Sequence, residues 1–226
     1  MSDEGRAADG GAAAEATSET ADSGGSEAVR IRPVDPDDAA AIRDLYAPFV
    51  EETAVTFTER VPSVEEMRRE IRDKREADAY PWYVAEMDGD GSADEGENGD
   101  EGVVGYAYGG SLRERDAYQW AVETSVYVDP DVQRGGIGRT LYEHLFETLR
   151  AQGYVAAYAA LGMPNPESVA FHEATGFDHL GTFPEAGFKV GAWHDVEWYR
   201  RPLREAPADP DPPRPVSAVD PAFGSE

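Results

Sequence analysis

The chain has no cysteine among its 226 residues. That excludes disulfides, thiolate zinc sites and a cysteine nucleophile, and it leaves the redox compartment open. Basic residues are scarce, 20 Lys and Arg against 46 Asp and Glu, for a formal charge of −26. So acidic a chain has no broad basic face for nucleic acid or an anionic membrane, and neither is expected as a partner. Long apolar runs are missing as well. The N-terminal MSDEGRAADGGAAAEAT has neither a basic n-region nor an apolar stretch, which predicts no secretory signal, no membrane span and a cytoplasmic protein. The length suits one domain with a substantial core.

Part of the acidity is concentrated in three segments. Residues 1–28 are rich in Ala, Gly, Ser and acids without an aromatic, and are expected to be a disordered tail. Residues 88–102 carry seven acids and no base and are expected to be a loop insertion. Residues 204–226 hold six prolines and are expected to form a loose tail. The remaining domain, 29–203, is acidic in its own right, which suggests a halophilic surface for a salty cytosol, where a short Debye length damps self-repulsion.

Within that domain, Val29 to Arg32 alternate as a short strand, and Pro36 opens a helix to about Glu51 with Ile42, Leu45, Tyr46 and Phe49 on one face. Ser63 and Glu66 form a capping box for a second helix, Val64 to about Ala77. Trp82 to Met87 and Val103 to Gly110 predict a strand pair. Gln119 to Val128 predicts another strand, with Trp120, Val122, Thr124, Val126 and Val128 on one side and Ala121, Glu123, Ser125 and Tyr127 on the other. An amphipathic helix from Ile137 ends at Gly153, and Tyr154 to Leu161 is the next strand. A short helix, Ser168 to Thr175, follows Asn165, and strands Phe177–Phe183 and Trp193–Arg200 close the sheet.

The chain is organised around SVYVDPDVQRGGIGRTLYEHLF, Ser125 to Phe146, which reads as strand, glycine loop and helix. Free N–H groups at a helix start, approached through glycines, suit a phosphate or pyrophosphate. A tight turn before an ordinary helix fits the glycines equally well. A P-loop would need Gly in place of Gln133 and Lys in place of Arg139, and GGIGRT does not supply the GxGxxG of a dinucleotide site.

What QRGGIG does match is the Gln/Arg-x-x-Gly-x-Gly/Ala signature, so the stretch resembles the acetyl-CoA pyrophosphate loop of the GNAT N-acetyltransferases. The blocks FVEETAVTF, YPWYVAE, AYQWAVETSVYV, LGMPNPESVAFHEATGF and AGFKVGAWHDVEWY resemble, in the same order, the phosphinothricin N-acetyltransferase subfamily. The resemblance spans Val29 to about Leu203. It implies an α/β (α+β) GNAT fold, a mixed, mostly antiparallel sheet of six to seven strands flanked by four helices. It further implies acetyl-CoA as cosubstrate without a metal, a small-molecule amine as acceptor, and a homodimer.

The resemblance also assigns roles. Glu123, otherwise readable as a solvated strand carboxylate or ion-pair partner, becomes the general base that takes the amine proton directly or through a water. The backbone of Ser125, Val126, Tyr127 and Val128 would supply the oxyanion donor. Gln133, Arg134, Gly135, Gly136, Ile137, Gly138, Arg139 and Thr140 would hold the pyrophosphate, the two arginines offsetting the field of an acidic chain. Asn165 and Ser168, helix-start residues by type, would contact the pantetheine arm. His172 would be a second catalytic residue near the reaction centre, helping proton movement or leaving-group stabilisation, or be an ordinary half-exposed helix histidine; with no second His at i+4 it is not part of a zincin site.

Arg113, Arg115 and Tyr118 would anchor an anionic acceptor, unless the two arginines are surface ion-pair partners. Thr56 and Phe57 would wall the acceptor site. Glu114, between the arginines, departs from the subfamily pattern and would weaken an anionic acceptor's binding. The acceptor implied is the α-amino group of phosphinothricin or of methionine sulfoximine or sulfone. Alternatives are another amine (a natural amino acid, a polyamine or a protein N-terminus) or a non-catalytic acyl-CoA sensor.

Overall fold

The computed structural model describes residues 29–87, 102–132 and 135–223. The expected N-terminal tail, the acidic insertion up to Glu101, and Gln133 and Arg134 lie outside the described residues. The elements in chain order are β1 (Val29–Pro33), α1 (Ala39–Glu52), α2 (Val64–Ala77), β2 (Trp82–Met87), β3 (Gly102–Ser111), β4 (Ala121–Val128), α3 (Ile137–Gln152), β5 (Ala156–Gly162), α4 (Pro166–Ala174), β6 (Asp178–Lys189) and β7 (Ala192–Pro202).

The strands form one sheet in the order β1-β2-β3-β4-β5-β7-β6. Only β4 and β5 run parallel; every other neighbouring pair is antiparallel. The side-chain alternation of the strands builds two cores. On one face Val34, Ile42, Met67, Ile71, Trp82, Val84 and Tyr106 bury against α1 and α2. On the other, Tyr83, Ala85, Ala107 and Val122 bury against Leu141, Tyr142, Leu145, Phe146 and Leu149 of α3.

Local chemistry sets the helix ends. Ser63 accepts from the Glu66 amide, and the Glu66 carboxylate accepts from the Ser63 amide at 2.7 Å, completing the capping box of α2. Gly153 takes φ 111° and closes α3 by donating to the Leu149 and Arg150 carbonyls.

Two strand boundaries are corrected. Trp120 is not in β4, which starts at Ala121 after a 3-10 turn over Asp116–Tyr118. From Val122 onward the expected parity holds, with Val122, Val126 and Val128 in the α3 core and Tyr127 in the other. β6 does not stop at Phe183: it shifts register over the next residues, accommodating Pro184, and continues to Lys189.

The C-terminal segment is not a loose tail over its described part. Trp120 donates to the Asp211 carbonyl at 2.8 Å, and Gln152 and Arg214 exchange two bonds of 2.8 Å. Val216 is 1% exposed, Tyr83 donates to Asp220 at 2.6 Å, and the Phe223 ring meets Tyr83 edge-on at 5.3 Å. Proline lowers the chain entropy to be lost, so a few anchors suffice to hold such a strap.

Candidate active site

The site begins where two strands part. β4 pairs with β5 only over Ala121–Glu123 and Ala156–Tyr158, whereas β3 stays with β4 to Val128 and β7 stays with β5 to Gly162. A wedge therefore opens beyond Glu123, and among the described residues the β5-facing edge of residues 124–127 has no strand beside it. Thr124 closes the vertex by donating from Oγ1 to the Tyr158 carbonyl at 3.3 Å.

β4 then leads to the start of α3. Gly136 is its N-cap at φ 78°, a left-handed position suited to glycine, with no side-chain cap and no acid in the first turn. Gly135 and Gly136 are exposed, and Gly138 lets the Phe171 ring close in, since a Cβ there would lie 3.2 Å from it. An uncapped helix start beside an open strand edge fits a pyrophosphate with an extended arm. Thr140 donates to the Gly136 carbonyl at 3.2 Å. Arg139 gives one guanidinium nitrogen to the Ala174 carbonyl at the end of α4, 3.1 Å away, so part of its donor capacity serves that helix.

Glu123 pairs in register with Gly110 and shares its side of β4 with Ser125 and Tyr127, on the α1 and α2 face. It is half-buried, and burial raises its carboxyl above the usual range while the charge of Arg113 opposes the shift. Arg113 stacks its guanidinium over Trp198 at 5.2 Å and donates to its neighbour's carbonyl, Leu112, at 2.7 Å. Next along the row, Ser125 hydrogen-bonds Tyr108, whose phenol burial pushes up to about 12.

The row ends at the loop between α1 and α2. Tyr127 packs edge-on against Tyr46 at 5.1 Å, and the Tyr46 hydroxyl bonds Thr56 Oγ1 at 2.7 Å. Phe57 is 39% exposed and lies against the far ends of β5 and β6. Arg115 and Tyr118 are exposed, and their side chains make no hydrogen bond or ion pair with the described residues. The structure thus brings Glu123, Arg113, Thr56 and Phe57 to one face and leaves Arg115 and Tyr118 at its rim.

His172 is not the half-exposed helix histidine of the plainer expectation. It is 3% exposed, not half-exposed, and both ring nitrogens are engaged. Nδ1 lies 2.7 Å from the Ser168 carbonyl, which calls for a proton there, so Nε2 accepts from the Tyr142 hydroxyl at 3.1 Å. Burial lowers its pKa, with the Ser168 bond opposing. Its route to the wedge is indirect, through Tyr142 to Thr124. Asn165 caps α4, accepting from the Ser168 amide at 3.3 Å.

Sequence reasoning missed Tyr142, Trp198, Gly162 and Lys189. Tyr142 sits at a helix position that reads as core, and the other three matter only through contacts between distant segments. A separate cleft of about 510 Å³ lies between α2 and the end of β3, lined by Glu66, Glu70, Asp73, Lys74 and Tyr80 among others. It contains none of the candidate residues but adjoins them: Gly110 and Ser111 of its lining pair with Glu123 and Val122, and the Ser111 hydroxyl donates to the Arg113 carbonyl at 2.9 Å. Among the described residues no His, Asp and Glu group is arranged to hold a metal, and no helix is long and apolar enough to cross a membrane.

A splayed parallel pair inside an otherwise antiparallel sheet, leading into a glycine-opened helix, defines an acyltransferase of the GNAT class. A GNAT acetyltransferase domain model matches residues 31–198, and the chain belongs to that family. It is 40% identical to the phosphinothricin N-acetyltransferase of Streptomyces viridochromogenes, over 84% of this chain and 96% of that protein. It is 33% identical to the L-methionine sulfoximine/L-methionine sulfone acetyltransferase of Salmonella typhimurium, over 77% of this chain and 95% of that one. The crystal structure of a GNAT phosphinothricin acetyltransferase from Sinorhizobium meliloti in complex with acetyl-CoA superposes with a TM-score of 0.69 at 31% identity, covering 86% of this chain and 96% of that one. Within the GNAT family the chain is an acetyltransferase of the phosphinothricin N-acetyltransferase subfamily.

Proposed function

We propose that the enzyme acetylates the α-amino group of a small anionic amino-acid analogue, of the phosphinothricin or methionine sulfoximine and sulfone type, with Glu123 as general base. The observation that carries this reading is the half-buried Glu123 carboxylate, raised in pKa, at the vertex where β4 leaves β5, with the Arg113 guanidinium close enough to bias it. Acetyl-CoA would supply the acyl group as an activated thioester. An α-amine is mostly protonated at neutral pH and must lose a proton to attack. A carboxylate raised towards neutrality is a better acceptor for that proton than an ordinary surface glutamate. Ser125 to Val128 would offer a backbone N–H to the oxygen on which charge develops.

The start of α3, with Gln133, Arg134 and Arg139, would bind the pyrophosphate, and Asn165 and Ser168 the arm. Arg113 would anchor the acceptor's anionic group, Thr56 and Phe57 would wall it, and Arg115 and Tyr118 would close on it from the rim. His172 would hold Tyr142, and through it Thr124, in place beside Glu123. Two further features belong to this reading. Leu180, Phe183, Phe188, Val190 and Trp193 are exposed on the β6–β7 hairpin, which supports a homodimer through that face. The net charge of −26 supports a protein adapted to high salt.

Thiol release from acetyl-CoA in molar KCl, with a panel of amino acids, analogues and polyamines, tests the proposal. Release with phosphinothricin or methionine sulfone is expected. Release only with polyamines, or none with any acceptor despite tight CoA binding, would refute it.

A further inference from the structure

Lys189 is the last residue of β6, at the hairpin turn Val190–Gly191, where φ is 50° and 74°. A lysine at an exposed hairpin tip ordinarily points its ammonium into water. This one is 9% exposed, and its ammonium donates to the Thr56 carbonyl at 2.7 Å, linking segments 133 residues apart. No carboxylate of the described residues lies within ion-pair distance of it. Burial lowers its pKa, opposed only by the more distant charge of Glu59. With no ion pair among the described residues, the bond to the Thr56 carbonyl is what fixes the position of the ammonium.

The neighbours of Lys189 fit the same loop. β6 has glycine at 187, where a Cβ would lie 2.2 Å from Cε2 of Phe57, so the Phe57 ring occupies the space that a side chain would fill. His194, paired in register with Gly187, stands between two carbonyls, with Nε2 3.0 Å from Lys189 and Nδ1 2.8 Å from Met163. The ring lies between the turn of the hairpin and the chain leaving β5, which the Met163 amide ties to the Asp195 carbonyl of β7 at 2.9 Å. The Phe57 and His194 rings are 6.5 Å apart. The hairpin is thus shaped to receive Thr56 and Phe57 and is itself braced against β5.

We propose that Lys189 is a positioning residue for the acceptor: it seats the Thr56–Phe57 wall on the β6–β7 hairpin and so sets the affinity for the amine without touching acetyl-CoA. This rests on the reading of Thr56 and Phe57 as the acceptor wall. Losing a hydrogen bond from a charged donor lets the loop leave its seat part of the time, which predicts a rise of about tenfold in the acceptor's Michaelis constant. Lys189→Met keeps the length of the side chain and removes the donor, and Lys189→Arg restores a cationic donor. Gly187→Ala unseats Phe57 while leaving the ammonium in place.

The test combines steady-state kinetics, phosphinothricin being the acceptor, with amide hydrogen exchange of residues 53–61 in the full chain. Lys189→Met and Gly187→Ala are expected to raise the Michaelis constant for phosphinothricin, to leave that for acetyl-CoA unchanged, and to speed exchange in the loop. Lys189→Arg is expected to recover both the affinity and the protection. Equal rises in both Michaelis constants, or unchanged exchange in the loop, would overturn the proposal. If the wild type acetylates no amino-acid analogue while loop exchange still responds to Lys189→Met and recovers in Lys189→Arg, the seat stands and the acceptor reading falls.

Discussion

Gly162→Ala tests the proposed placement of the acceptor beside the loop of Thr56 and Phe57, separately from the role proposed for Glu123. Gly162 ends β5 opposite Val196, and a Cβ there would stand 2.3 Å from the Ala54 carbonyl oxygen, where ordinary contact begins at 3.4 Å. The obstacle is backbone, which cannot swing aside as a side chain tip does. The loop must therefore retreat by about 1 Å, and a misplacement of that size costs roughly a hundredfold in rate where orientation matters. The added methyl also overpacks its surroundings, at about 1–3 kcal/mol of stability. The assay is thiol release against acceptor concentration, alongside acetyl-CoA binding by calorimetry and a thermal melt. The expected result is a folded variant, lower in Tm, with acceptor kcat/KM reduced about a hundredfold and acetyl-CoA affinity kept. A folded variant with wild-type acceptor kinetics would refute the placement of the acceptor beside this loop.

Three further outcomes are expected. Activity should fall as pH drops through the Glu123 pKa, because only the ionised carboxylate accepts a proton; Arg113 lowers that pKa, so Arg113→Leu should move the acidic limb of kcat/KM to higher pH, and a limb that stayed or moved lower would contradict the pairing. Val216→Ala should cost about 2 kcal/mol by leaving a cavity beneath the strap, read as a lower Tm with activity at room temperature retained; an unchanged melt would mean that the strap is not packed in solution. Transfer from molar KCl to low salt should lower Tm through repulsion within a chain of charge −26, and equal stability in both would remove the halophilic reading.

What could be read from the residues was local or periodic. The Ser63–Glu66 capping box, the Gly153 helix end and the parity of β4 each depend on neighbours within a turn or two, and each matches the described structure. Parity also put Glu123 on the same side as Tyr127, although which helices would cover that side was not legible. The misses are tertiary. Pro184 reads as a strand end, yet a register shift carries β6 past it. The prolines after Leu203 read as a loose tail, because the partners that hold the strap, Asp78, Tyr83 and Gln152, lie far away in sequence. His172 lies on a helix with a weak apolar face, and only the packing of Phe171, Phe177 and Tyr142 around it makes it a core residue. Lys189 carries no sequence mark at all, since its partner is a backbone carbonyl.

The central claim is that Glu123 takes the amine's proton at the parting of β4 and β5. It is tested most directly by Glu123→Gln, which keeps the shape of the side chain and removes the base. Single-turnover acetylation of phosphinothricin or methionine sulfone, at saturating acetyl-CoA, should slow by about a hundredfold or more at neutral pH, with acetyl-CoA binding unchanged and with the acidic limb of the pH profile abolished. Near-wild-type turnover in that variant, with the acidic limb still in place, would contradict the account.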